Sequence, residues 1–395
     1  RFLEKQTVYV TANQLNIAES TVYASQRTAM RALTKQIWDC EQQSLTQHRG
    51  RLEQRMAAPT YTTLVGVDAH LAELTNLLTD PGPPWIISIE GLGGLGKTSL
   101  ADALLRRMMM LPTYHDFGWL TARQEHFDLG GGLSAVPRPA LTTEHLIEQL
   151  VAQLTDDAPL EVSRPIDKKR EFLLGRLKEY PHLIVVDNLE TVADVAELLP
   201  LLRQLSNPSR FVLTSRQRFE IESGIYHFSI PELGERDALQ LVRQEAMWAN
   251  LSHLATAADQ ELQPIYETVG GNPLALRLIV GQTHAHRLSA ILDDLRAARG
   301  QKSSNLYTFI FRRAWDSLDE GARKVWLCLP LLQGPHATLE ELSAITTLCE
   351  RDVRTHLEIL IQLNLVNCHG TLHNRYYSLH SLTRTFLQEQ VAQWI

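Results

Sequence analysis

The sequence predicts a three-layer α/β domain with a parallel sheet and helices on both faces. A small helical module precedes it, and an all-α segment and a winged-helix segment follow. Three observations carry this. The β-branched apolar run Trp85 to Glu90 leads at once into a glycine-rich turn and then into the apolar-periodic segment Lys97 to Met110, which is strand, loop, helix. Further apolar strands then alternate with helical patterns up to about residue 231. After Pro231 helical patterns follow one another, and a hairpin pattern appears only near the C-terminus.

Taken in order, Thr11 to Asn16, a tight turn, and Ser20 to about Gln43 read as helix, turn, helix, with Ala12, Leu15, Ile17, Val22 and Ala29 as packing positions. Arg27, Arg31 and Lys35 recur every four residues, so they lie along one face of the second helix, where they are candidate phosphate contacts for DNA. A packing or dimerisation module shows the same pattern. Residues 44–62 read as a charged, Gln-rich and then Pro-containing connector, and the cluster Asp80-Pro81-Gly82-Pro83-Pro84 stops the helix-like Ala69 to Leu78. Strands are expected over Gly118 to Ala122, His182 to Val186 and Arg210 to Thr214. Helices are expected over Thr143 to Leu154, Asp167 to Leu177 and Val192 to Leu205, with a long Gly- and Pro-rich connection over 124–142. Helices are then clearest over Glu235 to Trp248, Ala257 to Thr268 and Pro273 to His284. Thr338 to Thr346, Arg351 to Leu363, a hairpin through Leu365 to Tyr377 and a helix from Leu382 give the order of a winged helix. The domain division that results is 1–58, 59–231, 232–304 and 305–395.

With 395 residues, 44% hydrophobic and 21% charged, the chain has ample core for about three domains. No apolar run reaches the ~20 residues of a membrane span, and no signal peptide is visible. The first residue is Arg1, so the chain is expected to be an excised or processed piece, with upstream or downstream domains missing from it. Cys40, Cys328, Cys349 and Cys368 lack metal-ligand spacing, which argues for reduced thiols in a cytoplasmic protein and against a zinc site. Residues 1–58 carry a net charge of +3, which leaves −10 on residues 59–395 against the total of −7. The N-terminal piece alone has an electrostatic reason to meet nucleic acid.

Gly91 to Thr98, Gly-Leu-Gly-Gly-Leu-Gly-Lys-Thr, fits the spacing G-x-x-x-x-G-K-[ST] at every fixed position. Backbone N–H groups of Gly91, Gly93, Gly94, Leu95, Gly96, Lys97, Thr98 and Ser99 are candidates to cradle phosphates at a helix N-terminus. Lys97 would reach the β and γ phosphates and Thr98 would offer its hydroxyl to Mg2+. Asp187 ends the apolar strand His182 to Val186 about ninety residues later, where a Mg2+-coordinating acid is needed. The position of a water-activating acid directly after it is Asn188, an amide, so hydrolysis should be slow or rely on Glu190. Glu190 serves equally as the first-turn acid of the next helix. Thr214-Ser215-Arg216 ends the next strand, which makes Arg216 the favoured γ-phosphate reader, with Arg218 competing and a plain solvent-facing arginine as the bland account.

These motifs, with Gly271-Asn272-Pro273-Leu274-Ala275-Leu276 and Leu379-His380-Ser381-Leu382, occur in the order and spacing of NB-ARC proteins, and residues 60 to 393 resemble a bacterial member of the STAND class of signalling NTPases. The resemblance implies a nucleotide-binding domain, a helical domain and a winged-helix domain that close over ADP at rest and open when ATP replaces it, with self-association in the ATP state and slow Mg2+-dependent ATPase activity. It implies that Pro273 packs on the adenine, that Val65 and Gly66 hold the adenine edge through backbone groups, and that His380 reaches the β-phosphate. Without it, His380 reads as a structural histidine. Asn272 in place of the plant Leu, Ser381 in place of Asp and Val67 in place of Arg depart from the family pattern. Relatives of this kind carry an N-terminal effector and a C-terminal repeat sensor. No repeat of 20 to 50 residues is present, so a sensor is expected on a missing domain or partner chain. The expected function is a nucleotide-switched signalling ATPase whose helix-turn-helix acts in transcription regulation or antiphage defence. Two alternatives remain: a DNA-binding regulator with ADP or ATP as a structural ligand only, and a small-molecule phosphotransferase, against which the long segments after Pro231 argue. Arg351 and Arg354 on the winged helix are secondary DNA candidates, set against a role in intramolecular locking.

Overall fold

The computed structural model of the chain describes residues 7–56, 59, 61–122, 141–155, 163–189, 192–215, 224–299, 306–332, 336–370, 374–380, 383–384 and 386–387. It divides into two compact units, Arg1–Gln54 and Arg55–Ile395.

In the first unit α1 spans Val8–Leu15 and α2 spans Glu19–Arg55. Thr7 starts α1 by accepting a bond from the Val10 amide, and Asn16, in the left-handed conformation, ends it. The two helices share a core of Val8, Ala12 and Val22. Leu15 and Ile17, expected as packing positions, are instead exposed, as is Ala29. The connector expected from residue 44 is also corrected, because α2 runs on to Arg55. Residues 44–55 contain no proline, and the single Gly50 costs a helix only about 1 kcal/mol.

In the second unit α3 (Asp68–Thr79) precedes β1 (Ile86–Glu90), α4 (Lys97–Met108), β2 (Asp116–Thr121), α5 (Thr143–Leu154), α6 (Ile166–Glu179), β3 (His182–Leu189), α7 (Val192–Leu205), β4 (Arg210–Ser215) and β5 (Ile225–Ser229). The five strands form one parallel sheet in the order β2-β3-β4-β1-β5. The expected connection 124–142 lies almost wholly outside the described residues. β5 is a strand the sequence patterning did not give. It is five residues long, pairs among the described residues only with β1, and its half-exposed Ile225, Tyr226 and His227 offer no apolar run. One face of the sheet, with Ile86, Ile184, Val186, Phe211 and Leu213, packs under α5, α6 and α7; α4 packs on β1, β3 and β4 beside α3. β1 lies between β4 and β5, so the chain leaves it at a switch point, and the carboxyl ends of β1, β3 and β4 share one edge.

The helices α8 (Glu235–Trp248), α9 (Ser252–Ala255), α10 (Asp259–Val269), α11 (Pro273–Gln282), α12 (Leu288–Arg299) and α13 (Leu306–Ser317) follow. Then come α14 (Glu320–Cys328), a 3-10 turn, α15 (Leu339–Thr346), α16 (Glu350–Gln362) and the antiparallel hairpin β6 (Asn367–Gly370) and β7 (Arg375–Ser378). An isolated bridge from Ala337 to Tyr377 adds a third element to the hairpin, giving the winged-helix order. One core runs through this part of the chain, from Ala238 to Leu387. Residues 383–384 and 386–387 are helical, and Leu382, where that helix was expected to start, lies outside the described residues. No helix among the described residues is long and apolar enough to cross a membrane.

Candidate nucleotide-binding site

The glycine-rich turn sits between the end of β1 and the start of α4, as its sequence context requires. Gly96 occupies the N-cap position of α4 at φ 87, a left-handed conformation that glycine adopts without strain. Lys97 folds back over the loop and donates to the carbonyls of Gly91 (2.7 Å) and Leu92 (2.8 Å). Leu95 is buried under the turn, while Thr98 is exposed and Ser99 half-buried in the first turn of α4.

Asp187 stands near the end of β3, only 5% exposed. Its Oδ1 accepts hydrogen bonds from Thr98 Oγ1 (2.8 Å) and Thr214 Oγ1 (2.6 Å), and Thr214 Oγ1 accepts from the Asn188 amide (2.8 Å). Three elements are thereby tied at one point: the first turn of α4 and the ends of β3 and β4. A register shift between Val186 and Leu189 and the left-handed Asn188 (φ 69) turn the backbone there. The Asn188 side chain donates to the carbonyl of Ala122, the residue after β2, at 3.4 Å. Thr214 was not among the expected site residues; a polar side chain at the end of a buried apolar strand was its signal.

The hydroxyl of Thr98 beside the Asp187 carboxylate is a hard-oxygen pair of the kind that holds Mg2+ together with phosphate and water ligands. No group of three or more His, Cys, Asp or Glu side chains among the described residues forms a metal cage. Two protein ligands with the rest left to nucleotide and water is the usual habit of Mg2+, so the residues present fit that group.

Behind the loop lies the segment Gly271-Asn272-Pro273. Asn272, 3% exposed, caps α11: its Oδ1 accepts from the amides of Leu274 (3.1 Å) and Ala275 (3.3 Å). Its Nδ2 donates to the Gly93 carbonyl (3.0 Å), and the Leu274 amide donates to the Gly94 carbonyl (3.3 Å). Half-buried Pro273 occupies the first helical position. At Gly271 an added Cβ would lie 1.8 Å from the Leu233 carbonyl oxygen, so only glycine fits. Sequence reasoning marked Asn272 only as a departure, although Asn immediately before Pro is a helix-start signal that locates the cap.

Val65 packs against the helical core, and Gly66 (φ 72) lies so close to α8 that a Cβ would be 2.9 Å from Asp237 Oδ2 and from Leu233 Cδ2. Val67 precedes α3 without a side-chain cap. His380 follows β7, half-buried, and its carbonyl accepts from the Arg384 amide (2.9 Å). Glu190, Arg216, Arg218 and Ser381 lie outside the described residues. Arg27, Arg31 and Lys35 belong to the first unit, exposed along one face of α2 with Met30, Thr34 and Trp38.

No family model matches the chain. It is 28% identical over 219 residues to the disease resistance-like protein DSC1 of Arabidopsis thaliana, a match covering 55% of this chain and 17% of that protein. The transcription activator GutR of Bacillus subtilis is 21% identical over 294 residues, 69% of this chain and 33% of that protein. The crystal structure of a signal transduction ATPase with numerous domains, carrying a tetratricopeptide repeat sensor, from Pyrococcus horikoshii, superposes with a TM-score of 0.55 at 15% identity, covering 84% of this chain and 43% of that one. The chain thus spans less than half the length of these proteins. The chain is thus similar in sequence to NB-ARC disease-resistance proteins and in fold to a STAND signalling ATPase.

Proposed function

We propose that the chain is the switch region of a signalling ATPase, ADP-bound at rest, that opens and self-associates when ATP takes the place of ADP. The observation that carries this is the Thr98–Asp187–Thr214 cluster beside a phosphate loop whose carbonyl edge is docked on the start of α11. Lys97 binds the β and γ phosphates, and Thr98 and Asp187 hold Mg2+. Val65 and Gly66 line the adenine edge, Pro273 packs on the base and His380 reaches the β-phosphate of ADP. Arg216 reads the γ-phosphate and Glu190 orients the attacking water. The bound Mg2+-nucleotide supplies a phosphoanhydride whose cleavage returns the switch to rest. The chain divides at 58/59, 231/232 and 304/305, and works in the cytoplasm. Its output lies in residues 1–58, where Arg27, Arg31 and Lys35 meet DNA phosphates in transcription control or antiphage defence; the name of the GutR relative supports the first. A sensor is supplied by a domain or chain beyond this sequence.

A second possibility has its own observation. Asn188 carries no proton-accepting carboxylate and its side chain is turned toward Ala122, so nucleotide would serve as a structural ligand with negligible turnover.

Nucleotide released on denaturing the purified, untreated protein tests the proposal. About one ADP per chain is expected, and none from Lys97→Ala. Wild-type protein that holds no nucleotide and binds none when it is added overturns it. Sustained turnover abolished by Glu190→Gln excludes the second possibility.

A further inference from the structure

Four consecutive carbonyls of the phosphate loop each accept a hydrogen bond. Lys97 Nζ serves Gly91 and Leu92, Asn272 Nδ2 serves Gly93, and the Leu274 amide serves Gly94. The two halves respond differently to phosphate. Lys97 is a cation and exchanges its two carbonyls for a phosphate oxygen, because a charge-assisted bond to an anion is about twice as strong as one to a neutral carbonyl. The Asn272 side chain and the Leu274 amide are neutral, so they gain no charge-assisted bond by such an exchange. We propose that Asn272 is a positioning residue for nucleotide: it fixes the Gly93 carbonyl toward α11, beside the Leu274 amide that holds Gly94, and so makes phosphate affinity depend on the docking of α11 against the loop. This rests on the nucleotide site proposed above.

The orientation of the Asn272 amide is fixed by its surroundings. Oδ1 accepts from two backbone amides, which leaves Nδ2 as the end that meets the Gly93 carbonyl. The group is nearly fully buried, so losing the donor leaves a carbonyl that water replaces poorly. Its placement has little slack. The Glu232 carboxylate accepts from the Gly271 amide (3.1 Å), and the Leu233 amide donates to the Gly271 carbonyl (2.9 Å). The Ile230 amide donates to the Glu90 carbonyl (2.8 Å), at the foot of the loop. A closed circuit results: from Glu90 through the loop to Gly93, across to Asn272, back through Gly271 to Leu233, and along the chain to Ile230 and Glu90. Whatever shifts the loop on binding phosphate moves α11. By linkage, a segment that tightens nucleotide binding is itself tightened by nucleotide by the same factor.

Asn272 also caps α11, and the two roles separate by substitution. Asn272→Ser keeps a capping oxygen but has no second polar atom to reach Gly93. Asn272→Asp keeps the better cap and sets a carboxylate oxygen against the Gly93 carbonyl. The full chain is titrated with a fluorescent ADP analogue and with ATP in steady-state turnover, beside unfolding without nucleotide. Asn272→Ser is expected to unfold near the wild-type temperature yet bind about tenfold more weakly, the loss of one buried hydrogen bond. Asn272→Asp is expected to bind more weakly still, with KM raised in both and kcat little changed. Nucleotide should slow hydrogen exchange over residues 271–276 in the wild type and much less in Asn272→Ser. Affinity within twofold of wild type in both variants overturns the proposal and leaves Asn272 a helix cap alone. If Asn272→Ser fails to fold, Asn272→Asp decides the matter by the same affinity criterion. Failure of the nucleotide site itself looks different: wild type then binds no better than Lys97→Ala, and this inference falls with it.

Discussion

Around the phosphate loop, β1 and β4 are buried at every residue, and β3 at all but Asn188; in the first unit Val8, Ala12 and Val22 are the core. On α2, meanwhile, Tyr23, Met30, Leu33, Ile37 and Trp38 are each more than half exposed. The two regions present polar groups by different means. Asp187, Thr98 and Thr214 are held by the sheet, so their geometry exists before any ligand arrives. Arg27, Arg31 and Lys35 ride on a helix about 55 Å long whose order comes from local backbone bonds far more than from burial. A site that recognises small phosphate oxygens needs the first arrangement, while a surface that meets a long polyanion can use the second.

The comparison is broken most directly by cutting into the sheet core. Ile184, fully buried in β3 between the two helical layers, should cost about 4 kcal/mol as Ile184→Ala in denaturant unfolding. A loss below about 1 kcal/mol would mean that the sheet is not what holds Asp187 in place. Next in size is Gly271→Ala, expected to cost about 3 kcal/mol because its Cβ meets the Leu233 backbone, which cannot rotate away as a side chain can. Its unfolding midpoint should fall along with nucleotide affinity. A normal midpoint would show that the segment docks on the loop with room to spare.

How much of this was legible in the sequence follows the same divide. The strand, loop and helix around Gly91 to Thr98 and the strand that carries Asp187 could be read because these are local patterns, and α5, α7 and α8 match their expected limits. Thr214 and Asn272 were not read as site residues. Their roles depend on which strand lies beside β3 and which helix starts behind the loop, and neither neighbour is near in sequence. β5 escaped because an edge strand needs no apolar run. On α2 the failure ran the other way: Leu15 and Ile17 looked like packing positions, but hydrophobicity marks a residue that can be buried and does not supply the partner that buries it.

His182 sharpens the comparison by pH. It lies fully buried at the start of β3, its Nδ1 donates to the Tyr180 carbonyl (2.7 Å), and its Nε2 has no hydrogen-bond partner among the described residues. Burial, the largest cause, lowers its pKa from 6.5 to about 4. The unfolded chain therefore binds this proton more readily than the folded one. The associated stability is fully present above pH 6.5 and is lost as pH falls toward 4. By pH 5 the wild type should have lost about 2 kcal/mol more than His182→Gln, measured by denaturant unfolding at pH 7 and pH 5. Equal losses in the two proteins would show that this end of the sheet admits water.

The smallest effect belongs to α2. Leu33 is 58% exposed, so Leu33→Ala removes little that was taken from water, and its stability change should stay within about 0.5 kcal/mol. Replacing Arg27, Arg31 and Lys35 together with Ala should likewise leave unfolding unchanged, because Ala favours a helix at least as well as the residues it replaces. DNA retention should respond in the opposite sense: if these cations meet phosphates, it is lost in the triple variant and falls steeply with salt in the wild type. A Leu33→Ala cost above about 1.5 kcal/mol would show that α2 is covered in solution, and the contrast between a pre-built site and an open helix would then no longer hold.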